Sequence, residues 1–170
     1  MILARNVTNT DSMKSFQIVA CQYCFVDIVR LERGKYEKPE KRKIGLMIDN
    51  STWLIKEGKF AKALLVCDEA LKIDPDDVVI IAQKGVAYCR LQKLDEAISC
   101  FDLALQKDPK FVHAIYNKAA VMMLQNDIVS TLVLLEQSID LDSRLRRVAK
   151  NDEDFFYLRN NPDFIALVGT

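Results

Sequence analysis

Any chemistry in this chain has to start from its five cysteines and its single histidine. Cys21-Gln22-Tyr23-Cys24 is a CxxC pair, a spacing that holds zinc or exchanges disulfides. A closed zinc site takes about four ligands. Beyond the pair, the chain offers only His113 and the dispersed Cys67, Cys89 and Cys100. Thiol exchange of the thioredoxin kind needs a βαβ setting that this sequence lacks. Cys89 or Cys100 could act as a nucleophile beside His113, but Cys100 falls on a packed helical stripe and reads as core. The acidic pairs Asp76-Asp77 and Asp95-Glu96 stand where helices begin and suit the helix dipole. No Gly-rich phosphate loop, G-x-S-x-G or H-E-x-x-H occurs. The expectation is a protein that is not an enzyme and carries no cofactor or metal.

Charge narrows the partners. There are 24 basic and 24 acidic residues, so the net charge is zero. Residues 1–43 hold 9 Lys/Arg against 5 Asp/Glu, and the remainder 15 against 19. A binder of phosphate backbones would show a dominant basic face, so no nucleic acid is expected. Lys41-Arg42-Lys43 reads as part of a solvated linker. Phe16–Leu31 is apolar, but Gln17, Gln22, Asp27 and Arg30 interrupt it short of a membrane span. Ile18-Val19-Ala20-Cys21 has the look of a lipoprotein cleavage box, yet Arg5, Asn6, Asn9, Asp11 and Lys14 before it are too polar for a signal sequence. An odd cysteine number, mostly within apolar patterns, fits reduced thiols, and the expected location is cytoplasmic.

The elements that would position any site show in an internal repeat. An offset of 34 aligns residues 44–77, 78–111 and 112–145. Ser51, Gly85 and Ala119 coincide and are small; Leu54, Tyr88 and Met122 coincide and are large. Phe60, Leu94 and Ile128 match, as do Ala63, Ala97 and Thr131. So do Cys67, Phe101 and Leu135, and then Ala70, Ala104 and Ser138. Asp74, Asp108 and Asp142 are identical, and Pro75 and Pro109 follow the first two. Within each segment two helical stripes flank a polar break at Gly58-Lys59, Gln92-Lys93 or Asn126-Asp127. Proline after the aspartate ends the second helix, and Asp76 or Asp77 can cap the next. Each unit is an antiparallel helix pair. One pair cannot bury both its faces, so the pairs must stack.

These residues resemble the tetratricopeptide repeat. The second unit follows the family pattern with Gly85, Tyr88, Ala97, Phe101, Ala104 and Pro109. The first departs from it at Ser51, Leu54 and Cys67, and the third at Thr131, Ser138 and Ser143. The resemblance implies an all-α, right-handed superhelix of about three helix pairs over 44–145. Residues 1–43 are expected to give an N-terminal apolar helix, over 12–32, and a charged linker. Residues 146–170 resemble the capping segment that closes such arrays, with Phe155, Leu158, Phe164 and Leu167 covering the open end and the acids facing water.

In this family the first helix of each repeat lines a concave groove that binds protein or peptide partners. Carried over, that selects Ile48, Thr52, Ile55 and Lys56; Val79, Ala82, Val86, Cys89 and Arg90; and His113, Tyr116, Ala120 and Met123. The groove is apolar, with Lys56 and Arg90 near one edge. Relatives that grip acidic chaperone tails use Lys, Asn and Arg; the matching positions hold Ile48, Thr52, Gln83, His113 and Asn117, which argues against such a clamp. The expected occupant is an amphipathic or apolar partner segment. Alternatively the chain's own 12–32 fills the groove or packs across the first helix pair, as a closed monomer or a swapped homodimer.

Overall fold

The computed structural model describes residues 39–169. Helices α1 (Pro39–Lys56) and α2 (Phe60–Leu71) form the first pair, α3 (Val78–Arg90) and α4 (Leu94–Lys107) the second, and α5 (Val112–Leu124) and α6 (Ile128–Leu141) the third. After them come α7 (Leu145–Asn151), a 3-10 helix (Glu153–Leu158) and α8 (Pro162–Val168). The described residues hold no strand. α1 takes in 39–43, which the sequence reading left to a linker. Proline is tolerated in the first helical turn, so Pro39 opens the helix and Lys41, Arg42 and Lys43 lie exposed along it. The apolar segment 12–32, with Cys21 and Cys24, lies outside the described residues.

Each pair turns on the same device. Gly58, Gln92 and Asn126 have φ of 71°, 61° and 60°, the left-handed conformation that ends a helix. The next amide then reaches back to the helix: Lys59 N donates to Leu54 O, Lys93 N to Tyr88 O and Asp127 N to Met122 O, at 2.8, 3.0 and 2.9 Å. Glycine takes this backbone without strain, whereas Gln92 holds it against its own Cβ.

The identical aspartates also have one job. Asp74, Asp108 and Asp142 each accept from the amide two residues on (Asp76, Lys110 and Arg144) at 3.1, 3.0 and 3.0 Å. These Asx turns set the chain for the following helix. Asp77 then caps α3, accepting from Val79 N and Ile80 N at 3.0 Å each. Asp76 does not cap; it pairs with Lys107.

Packing repeats with the same register. A Cβ added to Gly85 would stand 2.8 Å from Cε1 of the fully buried Phe101, so the large ring requires the missing side chain. In the first pair Ser51 fills more of that space and the facing residue shrinks to Cys67; in the third, Ala119 meets Leu135 in one cluster. All three pairs keep these positions buried. Between pairs, α3 lies against α1 and α2, and α5 against α3 and α4. Lys84 bridges back to Asp68 at 2.7 Å, and Lys118, one register on, to Asp102 at 2.5 Å. The molecule is therefore an α-helical repeat solenoid.

Candidate functional site

The first helices of the three pairs, α1, α3 and α5, run side by side and form one face. Polar groups knit its N-terminal part. Thr52 Oγ1 donates to Ile48 O at 2.8 Å and accepts from Gln83 Nε2 at 2.6 Å. The single Ser51 hydroxyl proton has two acceptors within reach, Ile48 O at 3.0 Å and Gln83 Oε1. Gln83 sits on α3 and is buried, so it ties the second pair to the first through both ends of its amide.

Between α3 and α5 the face opens into a small cleft lined by Val79, Ala82, Gln83, Val86, Phe111, His113 and Asn117. Val79, Ala82, Val86 and Phe111 make its apolar wall, with Gln83, His113 and Asn117 beside them. Val79 and His113 are half-buried at the cleft, Lys56 is exposed, and Ile48, Ile55, Ala82 and Val86 are buried. His113 packs edge-on against Phe111, ring centroids 5.4 Å apart.

The C-terminal part of the face is covered by the chain itself. The 3-10 helix packs on α5. Phe155, fully buried, meets the Tyr116 ring edge-on at 5.6 Å and stacks toward Phe164 at 6.3 Å. Tyr116 Oη donates to Asp152 Oδ2 at 2.8 Å, while Asp152 Oδ1 accepts from Asp154 N at 3.0 Å and so caps the 3-10 helix. Arg90 Nη2 meets Asp154 Oδ2 at 3.2 Å, with the two side chains only 17% and 8% exposed.

Of the capping acids expected to face water, Glu153 and Asp163 are exposed, but Asp152 and Asp154 are not. Asp152 and Asp154 turn inward to a tyrosine and an arginine that the same reading assigned to the partner groove. Burial pushes the Asp152 carboxyl above its usual range; the Asp154 amide, the Tyr116 hydroxyl and Arg90 offset part of that. Ala120 is buried and Met123 half-buried in the cluster shared with Phe155 and Leu158. Of the residues assigned to the groove, Val79, Ala82, Val86 and His113 gather at the cleft, with Ile48 and Thr52 toward α1. Arg90 and Tyr116 belong to the junction with the cap.

Among the described residues, burial makes the three thiols harder to ionise. Burial pushes Cys67 up to about 12 and Cys89 to about 11, against partial relief from Ser51 and Arg90, and raises Cys100 as well. Gln83 and Asn117, which the groove assignment omitted, line the cleft. Their signal was present in the register, since both stand one residue after a groove position.

A stack of helix pairs whose first helices share one face defines the repeat-solenoid class. Within that class, residues 54–120 match the family model for the tetratricopeptide repeat, so this part of the chain carries that repeat. It is 26% identical over 115 residues to a tetratricopeptide-repeat and J-domain co-chaperone of Cryptococcus neoformans, covering 68% of this chain and 22% of that protein. A repeat-containing protein of Methanocaldococcus jannaschii is 40% identical over 48 residues, 28% of this chain and 14% of its own length. The chain thus spans about a fifth or less of these relatives. Among solved structures, the TPR2B domain of yeast Sti1 in complex with an Hsp70 peptide superposes with a TM-score of 0.58 at 20% identity, covering 70% of this chain and 95% of that one. The first repeat domain of Spaghetti (RPAP3) bound to an HSP90 peptide gives 0.55, also at 20%, over 64% and 92%. At such identities the likeness establishes the fold.

Proposed function

We propose that this chain is a protein-interaction module that holds an apolar or amphipathic segment of a partner protein along the face of α1, α3 and α5, and that it performs no catalysis. The observation that carries this reading is the apolar cleft between α3 and α5, the part of the face that the cap leaves open. The Sti1 and Spaghetti domains were solved with chaperone peptides, which supports a peptide as the class of ligand. The ligand chemistry here differs from an acidic tail. At the cleft stand valine, alanine and histidine, and Thr52 and Gln83 are committed to one another. A segment presenting apolar residues at i, i+3 or i+4 and i+7 matches such a wall. No helix among the described residues is long and apolar enough to cross a membrane. Unpaired Cys67, Cys89 and Cys100 support a reducing compartment such as the cytoplasm.

The test is co-purification from source cells with Val79→Glu against Val129→Glu as a surface control. Val79 is half-buried at the cleft, and Val129 is 74% exposed on α6. Loss of the partner with the first substitution and retention with the second is the expected result, circular dichroism being unchanged for both. Retention with Val79→Glu removes the cleft as the site.

A further inference from the structure

Each helix pair packs on the one before it through the same three positions of its first helix. In the second pair these are Ile80, Lys84 and Ala87, and in the third Ala114, Lys118 and Val121. The four apolar members are all 0% exposed. The two lysines bridge back to the preceding pair. The same register on α1 gives Leu46, Asn50 and Trp53. Among the described residues no pair precedes α1, and Leu46 is 64% and Trp53 50% exposed.

An array end that meets only water carries a polar outer face. This end instead presents a leucine and a tryptophan two helical turns apart, about 10.5 Å along one side of α1. The lysine that reaches back in the other two pairs is here an asparagine, a side chain that needs no acidic partner. The positions are those of an interface, and the residue types at two of them are those of a buried one.

The chain supplies a candidate to cover it. Thirty-eight residues precede Pro39, among them the apolar run Phe16–Leu31. As a helix that run would be roughly 24 Å long, close to the roughly 27 Å of α1. Residues 32–38 can reach about 25 Å when extended, several times the 8–10 Å between packed helix axes. The run can therefore double back beside α1.

We propose that Phe16–Leu31 docks along α1 across Leu46 and Trp53 and closes the N-terminal end of the array, leaving the α3–α5 cleft to a partner. The docked run takes the place of a preceding helix pair, as the 3-10 helix and α8 do for the third pair at the other end.

Trp53 is the sole tryptophan, so its fluorescence in the full chain reports on this face alone. The expected result is blue-shifted emission with acrylamide quenching several-fold weaker than in an Ile18→Asp/Phe25→Asp variant. Leu46→Lys should release the same protection from the array side. Leu46 is mostly exposed in the array itself, so the helical signal should persist; if the double variant loses its circular dichroism, Leu46→Lys decides alone. Free quenching of Trp53 in the unmodified chain overturns the proposal, and would be the outcome if 12–32 lay in the groove. Protection that survives both Leu46→Lys and the double variant overturns it too. So does protection lost on dilution as a dimer dissociates, which would assign the face to a second copy.

Discussion

Between the first and second helix pairs the buried polar contact is neutral; where the cap meets the second and third pairs it is ionic. Gln83 joins Ser51 and Thr52 with one amide, and every group in that set has a further acceptor close by in Ile48 O. Asp152 and Asp154 join Tyr116 and Arg90, and here a carboxylate with limited access to water depends on each donor it has. The first contact fixes register at little cost. The second holds a short segment that buries few helical turns of its own, and it does so by consuming side chains that a partner could otherwise use. Losing one member should therefore be tolerated at the first junction and felt at the second.

The largest effect expected is from Phe155→Ala. The ring is fully buried between Tyr116 and Phe164, and its loss should cost about 3–5 kcal/mol, read as a lower midpoint in urea. The cap should detach before the three pairs unfold. A single cooperative transition at unchanged midpoint would show that the cap is not held this way.

Tyr116→Phe isolates the ionic junction. The ring and its packing stay, but Asp152 Oδ2 loses its donor, which should cost roughly 1.5–3 kcal/mol. Gln83→Leu is the matching change at the neutral junction. Ser51 and Thr52 can still donate to Ile48 O, so about 1 kcal/mol is expected. Equal losses in the two variants would erase the distinction drawn between the junctions.

The neutral half of the molecule was largely legible in sequence. Helix-pair packing shows as size classes at fixed spacing, because Gly85 leaves room for the Phe101 ring where Ser51 faces the smaller Cys67. The three aspartates were visible as a recurrence, although their Asx turns required the backbone. The ionic half was hidden. A D-x-D at the start of a short helix reads as solvated capping chemistry, and Asp152 does cap. Its second oxygen turns inward only because α5 brings Tyr116 there, a contact 36 residues away in sequence. Pro39 opens α1, whereas by sequence the charged residues around it read as a linker.

The carboxylate should also mark the ionic junction by its pH response. Asp152 has a folded pKa raised above its unfolded value, chiefly by burial. The folded state therefore binds the proton more tightly, and this group's contribution falls as pH rises from the ordinary carboxylate range through the raised value. Asp152→Asn keeps the shape, and its amide can donate to the Tyr116 oxygen. The difference in stability between the two proteins should shift in favour of the asparagine variant across that window and stay constant above it. Asp142, lowered mainly by Arg144, works in the opposite sense and is present in both proteins, so it cancels. A flat difference from pH 3 to 7 would mean that Asp152 is better solvated than its 8% exposure indicates.

The smallest change tests whether the two junctions communicate. Gln83 lies on α3 and Arg90 ends it, so both junctions hang on the second pair. Gln92, just beyond, holds φ at 61° where Gly58 does the same work in the first pair at 71°. Its side chain is exposed. Gln92→Gly should relieve the left-handed strain and stabilise the turn by about 0.5–1 kcal/mol, less the added freedom of glycine in the unfolded chain. If the array unfolds as one unit, that gain should appear in full on the background of Phe155→Ala and of Gln83→Leu alike. A gain that vanishes with Phe155→Ala would show that the cap junction, and not the turn, sets how firmly the second pair ends.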